Sequence, residues 1–314
     1  MRKTIVQSLL IVLLTGVGAV AQETAGKANR PLGVPAEYVI TPFGYFHPSC
    51  VQHVAEGELL LADGRIQHAD GSVDTIAPVC DYPRYSPQGS LVAPDGRSTP
   101  VTNGWVEHIS VTTSASYGKI TASWITPPAP STNNGQTLFF FPGFEDISHV
   151  VSIVQPVLQY GSSGAGGGSY WALASWNCCL SGVADYSTIV AVNAGDTIIG
   201  SISSTCAPGG NSCSTWNVLS EDKTTGAKTT LSKTPSDGQV WNWAFGAVME
   251  VYNVIQCADY PANTGVTYNV KLYDQNLNLI SSPAWTQSPA SGINPACGFG
   301  LSSTATKETV KYNP

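Results

Sequence analysis

The sequence predicts an all-β fold, a sandwich or a barrel, preceded by a small β-rich unit. Three observations carry this. From Trp105 onward the chain is a series of short β-prone runs. Turn residues interrupt them roughly every 8–12 positions, the spacing of sandwiches and barrels. No stretch of about a dozen residues shows a helical period.

The elements follow in order. Arg2 and Lys3, the apolar stretch Ile5 to Val17 and the Ala19-Val20-Ala21 site form a secretory signal, residues 1–21. It is shorter than the about 20 apolar residues of a membrane span. Residues 22–35 are a small polar leader. Residues 36–82 form a compact unit with Asp63-Gly64 and Asp70-Gly71 turns, and Cys50 and Cys80 are its only cysteines. So short a unit gains from a disulfide staple. Residues 83–104 carry Pro83, Pro87, Pro94 and Pro100 and read as a linker open to proteases. Residues 105–306 form the main domain, and 307–314 a C-terminal tail.

Inside the main domain, Ile109 to Ser114 and Lys119 to Thr126 alternate, and the second stops at Pro127-Pro128. Thr137 to Phe141 is an apolar run, followed by Val150 to Tyr160. Tyr170 to Trp176 is aromatic. Two hairpins turn at Asn193–Asp196 and Thr224–Gly226. Trp241 to Val254 is one long strand. A last hairpin turns at Asp274–Asn276.

Composition excludes several classes. Only 11% of the 314 residues are charged. Without Arg2 and Lys3, 12 basic residues face 21 acidic ones, a net charge of −9. No basic patch exists for nucleic acid, and no later segment suits a membrane once the signal is gone. Low charge suits an acidic medium, because few cations are left to repel once carboxylates are protonated. Eight cysteines behind a signal read as disulfides. Cys206 and Cys213 flank a Pro-Gly-Gly-Asn turn and could close locally. The chain is read as a secreted monomer.

Most motifs lead nowhere. There is no Gly-x-Ser-x-Gly, and no helix to follow such an elbow. Gly161 to Gly168 lacks the Lys-Ser/Thr of a phosphate loop and reads as a flexible loop. His47, Cys50 and His53 have ligand-like spacing, but no second cluster completes a site, so no metal is expected. His108 and His149 are isolated.

Two polar residues set in apolar strands are more informative: Gln159 in Val157–Gly161 and Glu250 in Ala247–Tyr252. A strand alternates faces. Ala247, Met249 and Val251 therefore look like core, and Val248, Glu250 and Tyr252 line the opposite face. Taken alone, a mid-strand glutamate is more readily a solvent-facing residue. Glu145-Asp146, after an aromatic run, is a second acidic position.

The order of motifs resembles the eqolisins, the secreted glutamic peptidases. It runs through Asn103-Gly104-Trp105, the strand Ile120 to Pro127, Phe141-Pro142-Gly143-Phe144-Glu145 and Val157-Leu158-Gln159-Tyr160-Gly161. It continues with Tyr170 to Trp176, Gly195-Asp196-Thr197-Ile198, Asp222 to Gly226 and Ala247 to Glu250. The family's aspartate stands as Glu145, a supporting glutamate as Ser175, a tryptophan as Leu173, and an acidic residue after the catalytic glutamate as Val251.

The resemblance implies a two-sheet antiparallel β-sandwich, a concanavalin-like jelly roll with seven strands in each sheet and a cleft. It implies a Gln159/Glu250 dyad cleaving protein or peptide substrates at acidic pH. Glu145, Trp105, Tyr170, Trp176 and Tyr252 would support the cleft, and no cofactor is needed. The 36–82 unit fits a propeptide over that cleft. The rival reading is carbohydrate binding through exposed Trp171, Trp176, Trp241 and Trp243. A glycanase pairing Glu250 with Glu145, or an inactive peptidase relative, is a further alternative.

Overall fold

The computed structural model describes residues 30–78, 80–92, 104–148, 152–179, 182–210 and 212–314. The signal segment, Asn103 and His149 lie outside them. Among the described residues there is no α-helix, only two 3-10 turns at Pro48–Cys50 and Cys257–Asp259. No helix among them is long and apolar enough to cross a membrane.

Two large sheets dominate. The seven-stranded sheet runs Lys228–Pro235, Thr215–Asp222, Thr197–Ser204, Tyr117–Ile125, Gly265–Asp274, Lys307–Lys311, Gly300–Ser303. The nine-stranded sheet is built on Gly104–Thr112, Trp243–Tyr252, Thr137–Glu145, Ile153–Ser163 and Gly166–Cys178, in that lateral order. Its size departs from the expected seven strands because Thr286–Ser288, Ala184–Ser187, Val190–Val192 and Val51–Val54 also join it. All ladders within the sandwich proper are antiparallel. The Val51–Val54 strand of the N-terminal unit instead pairs in parallel with Ala184–Ser187.

Period-two alternation decides which side chains meet between the sheets. Ile120, Ala122 and Trp124 face Leu138, Phe140, Phe144, Leu158, Leu173, Ala247, Met249 and Val251 across one continuous core. The expected core parity of residues 247, 249 and 251 therefore holds.

The outer face of the nine-stranded sheet carries a second apolar cluster. Phe139, Phe141, Val157, Trp176, Phe245, Val248 and Tyr252 pack there against Val34, Tyr38, Ile40, Tyr45, Phe46 and Cys50 of the N-terminal unit. Four disulfides are present: Cys50–Cys80 and Cys206–Cys213, at the two places where sequence suggested closure, with Cys178–Cys179 and Cys257–Cys297.

Several boundaries move. Residues 83–104 are not linker throughout. Arg84–Tyr85 and Leu91–Val92 extend the sheet formed by Val39–Thr41 and Gly44–Phe46, so the N-terminal unit reaches at least Val92. The leader is not wholly loose: Val34 is buried. Residues 307–314 are not a tail, because Lys307–Lys311 pairs on both sides inside the seven-stranded sheet. The Gly161–Gly168 stretch continues two strands into a tight hairpin, with Ser163 opposite Gly166.

One glycine is decisive in the N-terminal unit. Gly44 has φ +121°, and a Cβ there would sit 2.4 Å from the Tyr85 carbonyl oxygen. Gly44→Ala should destabilise this small sheet by roughly 1–3 kcal/mol. Faster proteolysis within residues 36–92, with the sandwich intact, is the expected readout.

Candidate functional site

Glu250 and Gln159 lie in one row of the nine-stranded sheet. Trp105 pairs with Glu250, Glu250 with Phe139, Phe139 with Gln159, and Gln159 with Ala172. Residues opposite one another in a ladder point to the same face. Both polar side chains therefore lie on the face covered by the N-terminal unit. They are two ladder steps apart, about 9–10 Å at the usual strand spacing, with Phe139 between them. The structure brings the pair onto one face but not into contact. Both are fully buried, so the expected open cleft is filled.

Glu250 is held from two sides. Trp105 Nε1 donates to Oε2 at 3.1 Å, and the Tyr252 hydroxyl donates to Oε1 at 2.6 Å. Burial pushes its carboxyl up to about 8, although both hydrogen bonds work the other way. Glu145, at the end of the Thr137–Glu145 strand, is pushed up to about 8 by burial and then by the Glu250 charge. Two carboxyls on one dry face oppose each other's ionisation. Trp105→Phe removes one stabiliser of the ionised form. It should raise the Glu250 pKa by roughly one unit, in line with the net worth of a charged hydrogen bond. A carboxyl-resolved NMR titration checks this.

Gln159 is engaged with its own hairpin. Nε2 donates to the carbonyls of Gly161 at 3.1 Å and Gly166 at 3.0 Å, and Oε1 accepts from Ser163 Oγ at 2.9 Å. Gly167 makes this possible, since a Cβ there would stand 2.4 Å from Nε2.

The remaining expected residues separate. Trp176 is buried on the same face as Ala172 and Ala174, against Tyr186. Tyr170 is 46% exposed, beyond the covered region, and does not join the site. Trp171 and Trp241 belong to the core between the sheets. With Trp176 also buried, three of the four tryptophans proposed for sugar stacking are unavailable, and only Trp243 is partly open.

Sequence reasoning set His108 aside as isolated and missed Gln155. His108 packs edge-on against Trp105 and Phe245, and burial pushes its imidazole down to about 4. Gln155 shares the parity of Val157 and Gln159. Its Nε2 donates to the Pro42 carbonyl of the N-terminal unit at 3.0 Å. The i, i+2, i+4 spacing of Gln155, Val157 and Gln159 was the available signal. Among the described residues, no three His, Cys, Asp or Glu side chains are grouped to hold a metal.

The comparisons are structural only. No family model matches the chain, and a search of curated proteins by sequence gives no match. Solved structures with a similar strand arrangement include scytalido-glutamic peptidase with a peptide-based transition state analog. It shows 17% identity and a TM-score of 0.48, covering 67% of this chain and 98% of that one. SCP-B, a member of the eqolisin family in complex with the tripeptide Ala-Ile-His, gives 16% and 0.47 over the same shares. Aspergilloglutamic peptidase from Aspergillus niger gives 14% and 0.32, covering 56% of this chain and 98% of that one.

Proposed function

We propose that the chain is a secreted glutamic-type endopeptidase whose site is covered by its own N-terminal unit. The observation that carries the reading is Glu250. It is a buried carboxyl on a sheet face outside the main core, gripped by Trp105 and Tyr252. A core position would favour an apolar side chain. A carboxyl beneath a separate unit suits a site that is shielded until needed.

While covered, Glu250 is protonated at any pH below about 8 and is no base. Removing the cover lets water in and returns its pKa towards the ordinary carboxylate range. The carboxylate then takes a proton from a water that attacks the scissile carbonyl, and returns it to the leaving amine as the C–N bond breaks. Gln159 turns its amide from the Gly161 and Gly166 carbonyls to the developing oxyanion. One such donor is typically worth about 3–4 kcal/mol. Phe139 separates the two groups by two strand spacings on one face. The Glu250 charge raises Glu145, so Glu145 stays protonated when Glu250 ionises. Disulfides fit an oxidising, extracytoplasmic compartment.

The test is incubation of full-length protein with a denatured protein at pH 3–5, with and without pepstatin. Pepstatin-insensitive cleavage, lost in Glu250→Gln by at least about 1,000-fold, is the expected result. Active Glu250→Gln protein sinks the assignment, and retention on polysaccharide without cleavage supports the binding reading. A secreted form beginning near Asn103 would fit removal of the cover.

A further inference from the structure

The N-terminal hairpin meets the covered face through its backbone. Thr41 pairs with Gly44, so Pro42 and Phe43 form the turn. On one side of this turn, Gln155 Nε2 donates to the Pro42 carbonyl at 3.0 Å. Beside it, the Tyr45 ring of the same hairpin stands edge-on to Tyr252 at 5.4 Å, and the Tyr252 hydroxyl donates to Glu250 Oε1. Gln155 and Tyr252 are fully buried. The Gln155 bond reads no side chain of the turn; it holds a main-chain atom.

Gln155 is out of place unless something is bound. It lies on an apolar face near Val157 and Phe141, where a buried amide is costly without partners. Its Nε2 partner belongs to the cover, and its Oε1 is buried without a partner among the described residues. If the cover leaves, a donor and an acceptor on one amide are both open. That is the set needed to meet a peptide unit, which presents one C=O and one N–H.

We propose that Gln155 forms a peptide-backbone clamp on the face that carries Glu250, whose place the Pro42 carbonyl occupies in the folded chain. This rests on the peptidase reading of the same face and adds how substrate is held there. A substrate carbonyl sits on Gln155 Nε2, and an N–H of the same peptide sits on Gln155 Oε1. Because the contacts are to main chain, affinity depends little on the residue between them. The ligand class is an unmodified peptide segment, bound with low side-chain selectivity at that position.

The probe is a capped peptide with the sequence of residues 40–46, titrated into full-length protein carrying Tyr45→Ala to weaken the cover. Calorimetry should show saturable binding, and adding Gln155→Met should weaken it about tenfold, as expected for loss of a buried hydrogen-bonding partner. In acid-incubated full-length enzyme, Gln155→Met should raise KM for a peptide substrate by a similar factor and change kcat less. The peptide should compete with substrate. Equal binding with and without Gln155→Met, or no binding to either protein, overturns the clamp. Weakened binding in a protein that cleaves nothing leaves the clamp standing and removes the peptidase reading.

Discussion

Raising the pH from 4.5 to 8 should cost this fold several kcal/mol of stability and lower its melting temperature. Four buried carboxyls drive the effect. Burial pushes Glu107 up to about 7 and Glu145, Glu250 and Glu308 up to about 8, from an ordinary value of 4.5. Backbone N–H groups of Lys311 and Ala290 offset part of the shift at Glu107. Glu308 has no such relief, since neither of its oxygens has a partner among the described residues. Asp185 is raised well above 3.8, again mainly by burial.

The direction follows from proton binding. Between pH 4.5 and 8 the folded chain keeps these protons and the unfolded chain has released them. Stability is therefore fully present below the unfolded pKa and is lost as pH rises through the folded value. One pKa unit is about 1.4 kcal/mol, so even a fraction of these shifts matters against a total stability of roughly 5–15 kcal/mol. His108 acts the opposite way. Burial holds it neutral down to about 4, so its contribution is present above 6.5 and is lost as pH falls through about 4. One imidazole set against several carboxyls leaves the optimum on the acid side. Thermal unfolding followed by circular dichroism at constant ionic strength decides it. A melting temperature that is flat or rises between pH 4.5 and 8 would show these carboxyls ionised in the fold. Glu308→Gln should flatten the profile by its share.

The same residues show how far sequence could reach. The split between Val248, Glu250, Tyr252 and Ala247, Met249, Val251 follows from period-two alternation, and the structure keeps it. The Cys50–Cys80 and Cys206–Cys213 bonds were legible because few partners competed nearby. Phe139 between Gln159 and Glu250 was not legible. Strand register depends on which strands become neighbours, and local pattern says nothing of that. The burial of Trp171, Trp176 and Trp241 was lost for the same reason, since an aromatic strand looks alike whether one face or both are covered. Lys307–Lys311 reads as a polar tail. Yet Glu308 and Val310 share the inward parity, and the pairing comes from Gly265–Asp274 and Gly300–Ser303 on either side. The parallel addition of Val51–Val54 to Ala184–Ser187 joins segments more than 130 residues apart, and it decides what covers the site.

Tyr45→Ala should release that cover. Tyr45 is fully buried, stands edge-on to Tyr252 at 5.4 Å, and lies under the Arg30 guanidinium at 5.2 Å. Truncating a buried aromatic costs about 3–5 kcal/mol. The low end applies here, because the Tyr45 hydroxyl is buried without a partner and its removal relieves that cost. At about 1.4 kcal/mol per decade, the open fraction of the N-terminal unit should rise roughly 100-fold. The loss falls on the unit and not on the sandwich, because Tyr45 contacts the outer face and has no part in the core between the sheets. Limited proteolysis should then cut within residues 30–92 while the main unfolding transition persists. A hydrophobic dye should report newly exposed Phe139, Phe141 and Phe245. A single transition, shifted for the whole chain with no early cleavage, would mean that cover and sandwich fold as one unit. Removable shielding of Glu250 would then be ruled out. The unit is also held by the Val51–Val54 ladder on Ala184–Ser187, by Gln155 on the Pro42 carbonyl at 3.0 Å, and by Gln52 to Asp185 and His53 to Thr188, both at 3.0 Å. Each such polar bond contributes only about 1 kcal/mol net of water, so truncating the buried Tyr45 ring is the larger single loss.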